Sequence, residues 1–232
     1  MSRGVKLLRV PTPRKKRGLP RGYLLTFPIY STIIRIVTRV TCPRFRVTGR
    51  ANVPTRKAVI FACNHISDFD PPLIGAASRY PLCYMAKRDL WKISWLGKLL
   101  TFMGCIPVDP GSPDRAALKA CRAMLAEGEA VVIFPEGKIS PTSEMLPLLP
   151  GTVSLALGSK VPVVPIGIWG VQYALPYGET MPRPTTASVR LHFGPPLHFD
   201  DLYELQGRDA REVATRRLDA ALKAAVEVAK QG

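Results

Sequence analysis

The sequence predicts a single α/β domain, a sheet covered by helices, with an amphipathic helix in front of it. Short runs rich in β-branched residues alternate with longer segments of helical periodicity, which is typical of α/β folds. The 232 residues suffice for a sizeable core, and a content of 47% hydrophobic and 22% charged residues belongs to a folded protein. Polar clusters follow two of the apolar runs, at strand ends, where such sheets bind their ligands.

The net charge of +16 is concentrated at the front of the chain. Residues 1–67 hold fifteen Lys or Arg and no Asp or Glu, whereas the remaining residues hold eighteen basic and seventeen acidic side chains. A nucleic-acid-binding fold should carry its basic surface in the folded body, so this distribution disfavours nucleic acid as a partner. An anionic membrane surface fits the distribution better.

The cysteines indicate a cytosol-facing protein with reduced, largely buried thiols. Their number is odd, no two form a Cys-x-x-Cys pair, and most lie in apolar stretches: Cys42, Cys63, Cys83, Cys105 and Cys121. A zinc site is not expected from this spacing.

Residues 1–21 are predicted to form a basic, flexible arm, because Pro and Gly are mixed there with basic side chains. Residues 22–48 are predicted to hold an amphipathic helix and its connection. The apolar face of this helix would comprise Tyr23, Phe27, Tyr30, Ile33, Ile34, Val37 and Val40, opposite Thr32, Arg35 and Arg39.

Four interpretations of this helix compete. A transmembrane span needs about 20 apolar residues, but only residues 22–34 are free of charge. A signal peptide needs a small-residue cleavage site, which the following residues do not offer. A buried helix of the domain stays open, and the favoured interpretation is an interfacial helix on an anionic bilayer, with the basic arm attracted to its headgroups. The protein is thus expected to be membrane-associated at the cytoplasmic face, peripheral or monotopic.

Residues 49–232 are predicted to form the α/β domain itself. Its strands are expected at 58–63, 82–86, 105–108, 130–134, 163–168 and 188–193. Its helices are expected at 73–78, 95–102, 115–127, 153–157 and 210–229.

The stretch "FACNHISDFDPP", residues 61–72, ends a predicted strand with a polar cluster. Asp70 before two prolines is typical of a helix N-cap. His65 and Asp70 also suit a proton-transfer pair, because a carboxylate can fix the tautomer of a general-base histidine. A covalent intermediate on Ser67 or Cys63, or a metal site that includes Asp68, remains an alternative.

A second cluster, "FPEGK" at 134–138, follows another predicted strand. Glu136, Gly137 and Lys138 form either a tight turn with solvated charges or a polar grip on a substrate hydroxyl and an anionic headgroup. Asn64, beside His65, is a further substrate-binding candidate. Two reactive clusters at corresponding strand ends are a stronger signal than either cluster alone.

These residues resemble sequence blocks of the glycerolipid acyltransferases, the lysophosphatidic acid acyltransferase family. Asn64-His65 with Asp70 resembles that family's NHxxxxD block. "FMGCIPVD" (102–109), "FPEG" (134–137) and "VPVVPIGIWG" (161–170) resemble its second, third and fourth blocks, in the same order and at similar spacing. The resemblance covers roughly residues 23–225 and implies that residues 49–232 are the acyltransferase catalytic domain.

The resemblance implies a glycerol-3-phosphate acyltransferase-like mixed sheet covered by helices. It also implies acyl transfer from a thioester of coenzyme A or acyl carrier protein to a lysolipid hydroxyl at the membrane, without a cofactor or metal. His65 would be the general base and Asp70 would orient it, while Glu136 and Gly137 would bind the acceptor. The hydroxyl would attack the thioester directly, with no acyl-enzyme.

The chain departs from the family at two phosphate-binding arginines. The third block usually continues Glu-Gly-Thr-Arg-Ser, and here it continues with Lys138 and an isoleucine. The second block often ends Asp-Arg, and here it ends Asp109-Pro110. Lys138, Lys87 and Arg88 could supply positive charge instead, although a lysine holds phosphate as a point charge and not as a fork.

The resemblance makes lysophosphatidate the expected acceptor. The two missing arginines make a different lipid acceptor the first alternative. A non-catalytic lipid-binding protein and a hydrolase that uses water also remain open. A nucleic-acid binder is the least favoured function.

Overall fold

The structure of the protein, a computed structural model, describes residues 18–55, 58–109, 114–205 and 207–231. Within these ranges seven strands form one sheet and six α-helices surround it. The strands are β1 (Arg46–Thr48), β2 (Val59–Cys63), β3 (Cys83–Lys87), β4 (Ile106–Val108), β5 (Ala130–Ile133), β6 (Val163–Trp169) and β7 (Arg190–Phe193). The helices are α1 (Arg21–Thr41), α2 (Asp70–Ala77), α3 (Ser94–Phe102), α4 (Arg115–Ala126), α5 (Gly151–Ser159) and α6 (Arg208–Gln231).

The strand order across the sheet is β1-β7-β6-β2-β5-β3-β4. Neighbouring strands are parallel except β6 and β7, which are antiparallel. The sheet is therefore mixed, and the predicted single α/β domain is confirmed. Strands β2 to β6 all end at the same edge, called the carboxyl edge below.

Strand β2 lies near the middle of the sheet, between β6 and β5. All five of its residues are buried, as expected of a parallel strand that is covered on both faces. The buried apolar run therefore delivers the polar residues that follow it to the carboxyl edge.

Helices cover both faces of the sheet. Gly167 of β6 faces α6, since a Cβ atom at this position would overlap the carbonyl oxygen of Ala225. Its neighbour Ile166 pairs with Phe193, and successive strand residues point to opposite faces. Phe193 accordingly lies on the other face, where it lines a small cavity together with Ile74 of α2. Helix α1 packs against α2, so α1 and α6 belong to opposite sides of the molecule.

Helix α1 is apolar on two sides. Tyr23 and Phe27 point into the domain and their rings pack edge to face, with centroids 6.0 Å apart. The outward side carries Leu25, Ile29, Ile33, Ile36 and Val40, each more than half exposed. The predicted apolar face combined residues of both sides, because helical periodicity alone cannot separate two adjacent apolar stripes. None of the described helices is long and apolar enough to cross a membrane.

The structure differs from the predicted domain boundaries at two points. Residues 1–17, most of the predicted arm, lie outside the described residues, but Leu19 is buried and its N–H donates to the Glu129 carboxylate (3.2 Å). Strand β1 lies before the predicted boundary at residue 49, yet it pairs with β7. Its three residues include a charged side chain and no apolar run, so the sequence gives no signal for it.

Candidate active site

His65 and Asp70 meet at the carboxyl edge, where β2 ends and α2 begins. The distance from His65 Nδ1 to Asp70 Oδ2 is 2.9 Å. The same carboxylate oxygen accepts the backbone N–H groups of Ile66 (2.8 Å) and Ser67 (3.0 Å). The five-residue spacing thus lets the chain turn back so that one carboxylate holds both the ring and the backbone beside it.

Asp70 is not the N-cap that its place before two prolines predicted. It is the first residue of α2, Phe69 occupies the capping position, and the Asp70 carboxylate reaches back to residues 65–67. Pro71 and Pro72 fit the first turn because the N–H groups of a first turn have no partner within the helix. The helix start therefore orients the acid towards the histidine.

The buried environment of Asp70 raises its pKa, and hydrogen bonds from His65, Ser67 and Ile66 oppose that shift. Its Oδ1 atom is buried without a hydrogen-bond partner in the described structure. The three N–H donors on Oδ2 suit an ionised carboxylate, which is an acceptor only. With Nδ1–H donating to it, the other ring nitrogen of His65 carries the lone pair.

The His65 ring lies flat on the ring of Phe134, with centroids 3.9 Å apart and planes 20° from parallel. Its side chain is 15% exposed, and no described residue hydrogen-bonds to Nε2. Stacking and the Asp70 contact fix the ring while Nε2 stays open to a ligand. This is the arrangement that a general base requires.

Glu136 holds the backbone of His65. The side chain is buried, one carboxylate oxygen accepts the N–H of His65 (2.9 Å), and the other accepts the N–H of Leu146 (2.8 Å). Burial raises the pKa of Glu136, and these backbone hydrogen bonds oppose the shift. The described contacts of Glu136 are thus structural, and the predicted contact with the acceptor hydroxyl stays a prediction.

Asn64 likewise has a structural partner. Its side-chain oxygen accepts the N–H of Ile168 (2.8 Å) and its amide nitrogen donates to the carbonyl of the same residue (3.0 Å). This pair of bonds joins the end of β2 to β6, so the buried Asn64 has a structural role, and its predicted substrate contact stays a prediction. Gly137 has a φ of 72°, which favours glycine, and a Cβ there would press on Leu149.

The three predicted phosphate-binding cations differ in whether a carboxylate already pairs with them. Lys138 is exposed, and no described carboxylate lies within 4.0 Å of it. Arg88 contacts both carboxylate oxygens of Asp109 at 3.0 Å, and Lys87 pairs with Asp89 at 3.3 Å. Lys87 and Arg88 reach the carboxyl edge two strands away from β2, about 10 Å across the sheet.

The proposed nucleophiles are not placed for attack. The Ser67 hydroxyl is buried, donates to the carbonyl of Leu175 (2.7 Å) and accepts the N–H of Phe69 (3.1 Å). Cys63 is buried, and desolvation raises its thiol pKa well above the ordinary value. Asp68 is exposed, and the described part of the chain brings together no group of three His, Cys, Asp or Glu side chains that could hold a metal.

Two residues of the site were not predicted from the sequence. Phe134 stacks on His65, and the N–H of Ser140 donates to the His65 carbonyl (2.8 Å). Phe134 begins the "FPEGK" cluster and Ser140 follows it by two residues, but only Glu136, Gly137 and Lys138 were candidates there. An aromatic residue directly after a buried strand was the available signal for Phe134.

Comparisons with known proteins show the family of the chain. Residues 44–169 match the family model described as Acyltransferase. The chain is 31% identical over 179 residues to the 1-acyl-sn-glycerol-3-phosphate acyltransferase of Bacillus subtilis, covering 77% of this chain and 86% of that protein. It is 30% identical over 150 residues to the protein of the same name from Limnanthes alba, covering 63% of this chain and 53% of that protein.

A solved structure shows the same fold. The 1-acyl-sn-glycerophosphate acyltransferase of Thermotoga maritima superposes with a TM-score of 0.73 at 24% identity, covering 89% of this chain and 80% of that one. The expectation of an O-acyltransferase, which first came from four sequence blocks, is confirmed by these likenesses. The chain belongs to the acyltransferase family.

Proposed function

We propose that this enzyme moves a fatty acyl group from an acyl thioester, of coenzyme A or acyl carrier protein, to the free hydroxyl of lysophosphatidate. The observation that carries the proposal is the His65–Asp70 pair, with Nδ1 bound at 2.9 Å and Nε2 open. The names of the relatives from Bacillus subtilis and Limnanthes alba support the acceptor.

The residues suggest direct transfer in two steps. As the acceptor oxygen attacks the thioester carbonyl, His65 Nε2 takes the hydroxyl proton and becomes part of an imidazolium that the Asp70 carboxylate stabilises. The tetrahedral intermediate then breaks its carbon–sulfur bond, and the imidazolium returns the proton to the leaving thiolate. The products are an ester and a free thiol, and no acyl-enzyme is needed.

Lys138 is the best-placed cation for the acceptor phosphate. It is exposed, has no described carboxylate partner, and belongs to the segment that wraps the His65 backbone through Glu136 and Ser140. Arg88 is a weaker choice because Asp109 already engages its guanidinium. A lysine point charge accepts headgroups of varied shape, so a different lipid acceptor is the alternative.

The outward apolar side of α1 supports work on an anionic membrane at the cytoplasmic face. This stripe continues onto α3, because Phe102 packs against Gly22 at the start of α1 and shares its helix side with Leu99 and Trp95. Exposed apolar residues flanked by basic ones favour the lipid boundary of an anionic bilayer. The five cysteines are free and buried, which suits a reducing compartment.

The test is thiol release from palmitoyl-CoA with and without lysophosphatidate, for the wild type, His65→Ala and the exposed-histidine control His198→Ala. Loss of the general base should lower the acceptor-dependent rate about 10²- to 10⁴-fold, with no change in the control. Near-full activity of His65→Ala would refute the mechanism. Release that needs no acceptor would indicate a hydrolase, and no release across a broad acceptor panel would indicate a lipid-binding protein.

A further inference from the structure

A groove of about 880 Å³ runs between α6 and residues 145–150, outside the His65 site. One wall is mostly apolar and includes Leu146 and Pro150, while the other carries Arg208, Arg211, Arg216 and Lys223. One residue of the groove, Leu146, is linked to His65 by two hydrogen bonds. The Leu146 N–H binds one oxygen of Glu136, whose other oxygen binds the N–H of His65.

Two of the four cations have no carboxylate partner in the described part of the chain. Arg208 pairs with Glu212 at 2.8 Å, and Lys223 pairs with Asp219 at 2.7 Å. Arg211 and Arg216 are exposed, with no carboxylate within 4.0 Å among residues 18–55, 58–109, 114–205 and 207–231. Guanidinium groups bind phosphate through paired hydrogen bonds, so the uncommitted pair favours a phosphorylated ligand.

The groove runs along α6, whose C-terminal end lies at the carboxyl edge. Lys230 near the end of α6 lies over the ring of Trp169, the last residue of β6, with 4.4 Å from Nζ to the ring centroid. Helix α6 therefore approaches the carboxyl edge with its C-terminal end. Residues 208–223 extend about 22 Å back along the sheet, far longer than one headgroup. The groove also lies on the side opposite α1, away from the proposed lipid surface.

From these observations we infer that the α6 groove binds the nucleotide part of coenzyme A, with Arg211 and Arg216 on its phosphates. Coenzyme A carries a diphosphate and a 3′-phosphate at the far end of a long pantetheine arm, so its phosphates can lie in a groove while its thioester reaches His65. The apolar wall offers a surface for the adenine ring. The inference rests on the proposed function and specifies its donor.

A lysophosphatidate headgroup fits the groove less well. Its phosphate lies close to the reacting hydroxyl, and its acyl chain has to remain with the lipid on the α1 side. A phosphate in the groove would lie far from Nε2 of His65, on the α6 side of the sheet, whereas the acyl chain would lie on the α1 side.

The experiment compares two donors, palmitoyl-CoA and palmitoyl-pantetheine, which lacks the phosphates, with lysophosphatidate as acceptor. Arg211→Glu/Arg216→Glu should lower kcat/KM for palmitoyl-CoA about tenfold or more, mainly through KM, because two phosphate contacts become repulsive. With palmitoyl-pantetheine the same variant should match the wild type. The matched control is Lys119→Glu, which changes an exposed cation of α4 outside the groove. It should leave kcat/KM unchanged for both donors.

Direct binding gives a second measurement. Adenosine 3′,5′-bisphosphate should bind the wild type in calorimetry and bind the double variant at least tenfold more weakly, an effect that a loss of activity alone could not produce.

Equal losses with both donors, or an unchanged kcat/KM for palmitoyl-CoA, would overturn the coenzyme A assignment. So would an effect seen only with palmitoyl-acyl carrier protein, which would assign the groove to the carrier's acidic surface. Failure of the proposed function looks different, because the wild type would then release thiol from neither donor with this acceptor.

Discussion

At the scale of single residues, the site consists of one open nitrogen supported by buried groups that are already bound. One oxygen of Asp70 accepts hydrogen bonds from the His65 ring and from two backbone N–H groups. The two oxygens of Glu136 accept the backbone N–H groups of His65 and Leu146. Hydrogen bonds to ionised groups are stronger than neutral ones, so these two acids hold His65 from its ring and from its main chain. In the proposed mechanism, both acids position the base.

Glu136→Gln tests that role. The amide can still accept from His65 N–H, but its NH₂ group then faces the Leu146 N–H, and two donors cannot bond. Misplacement of the base should lower kcat for thiol release about 10- to 100-fold and leave the KM for lysophosphatidate within about twofold. Glu144→Gln, an exposed acid of the same segment, is the control. A raised KM with unchanged kcat would instead show that Glu136 binds the acceptor.

The sequence could identify these residues but not all of their roles. His65 and Asp70 are five positions apart, and their contact follows from local chain geometry that a motif can encode. Glu136 meets His65 across 71 positions and Asn64 meets Ile168 across 104, so their partners depend on which strands lie side by side. A polar residue at a strand end looks the same in the sequence whether it faces the substrate or a neighbouring backbone.

At the scale of elements, periodicity located the buried strands and every helix of the domain within a few residues. It missed β1, which is too short to show a pattern. It located α1 but did not separate the two apolar stripes of that helix. One stripe of α1 packs on the domain and the other is exposed, and only tertiary contacts assign each residue to its side. The exposed stripe of α1, together with Trp95, Leu99 and Phe102, forms the proposed lipid surface.

Substitutions in that surface should weaken membrane binding without disturbing the fold. Ile29→Ser/Ile33→Ser removes two large exposed apolar side chains, each contributing ~1.5–3 kcal/mol when fully buried. The expected result is about 10-fold or greater loss of binding in co-sedimentation with vesicles of phosphatidylglycerol and phosphatidylcholine. Met181→Ser, which changes an exposed apolar residue outside α1 and α3, should bind like the wild type. Equal binding by Ile29→Ser/Ile33→Ser would refute the assignment.

At the scale of the whole molecule, the sheet separates the proposed lipid surface from the proposed donor groove. The proposed lipid surface is on the α1 and α2 side, the α6 groove is on the other, and His65 lies at the edge between them. The proposed function, which joins a soluble thioester to a membrane lipid, requires that both substrates reach His65. The acids that hold this base are buried, and that burial affects the stability of the entire fold.

The free energy of unfolding should therefore depend on pH through Asp70. Burial raises its folded pKa above the ordinary 3.8, so between 3.8 and the folded pKa the native state binds more protons than the unfolded state. The stabilising effect of the protonated acid is present below this window and is lost as pH rises through it. Asp70→Asn removes this titration.

In urea unfolding, the stability of Asp70→Asn relative to the wild type should then increase from pH 3.5 to pH 7, by up to ~1.4 kcal/mol for each pH unit inside the window. Asp68→Asn changes an exposed carboxylate two positions away and should show no such trend. A relative stability of Asp70→Asn that stays constant with pH would contradict the raised pKa, and one that falls with pH would mean that His65 and the backbone donors outweigh burial. Asp70 would then be a net stabilising charge, and the active site would not reduce the stability of the fold at neutral pH.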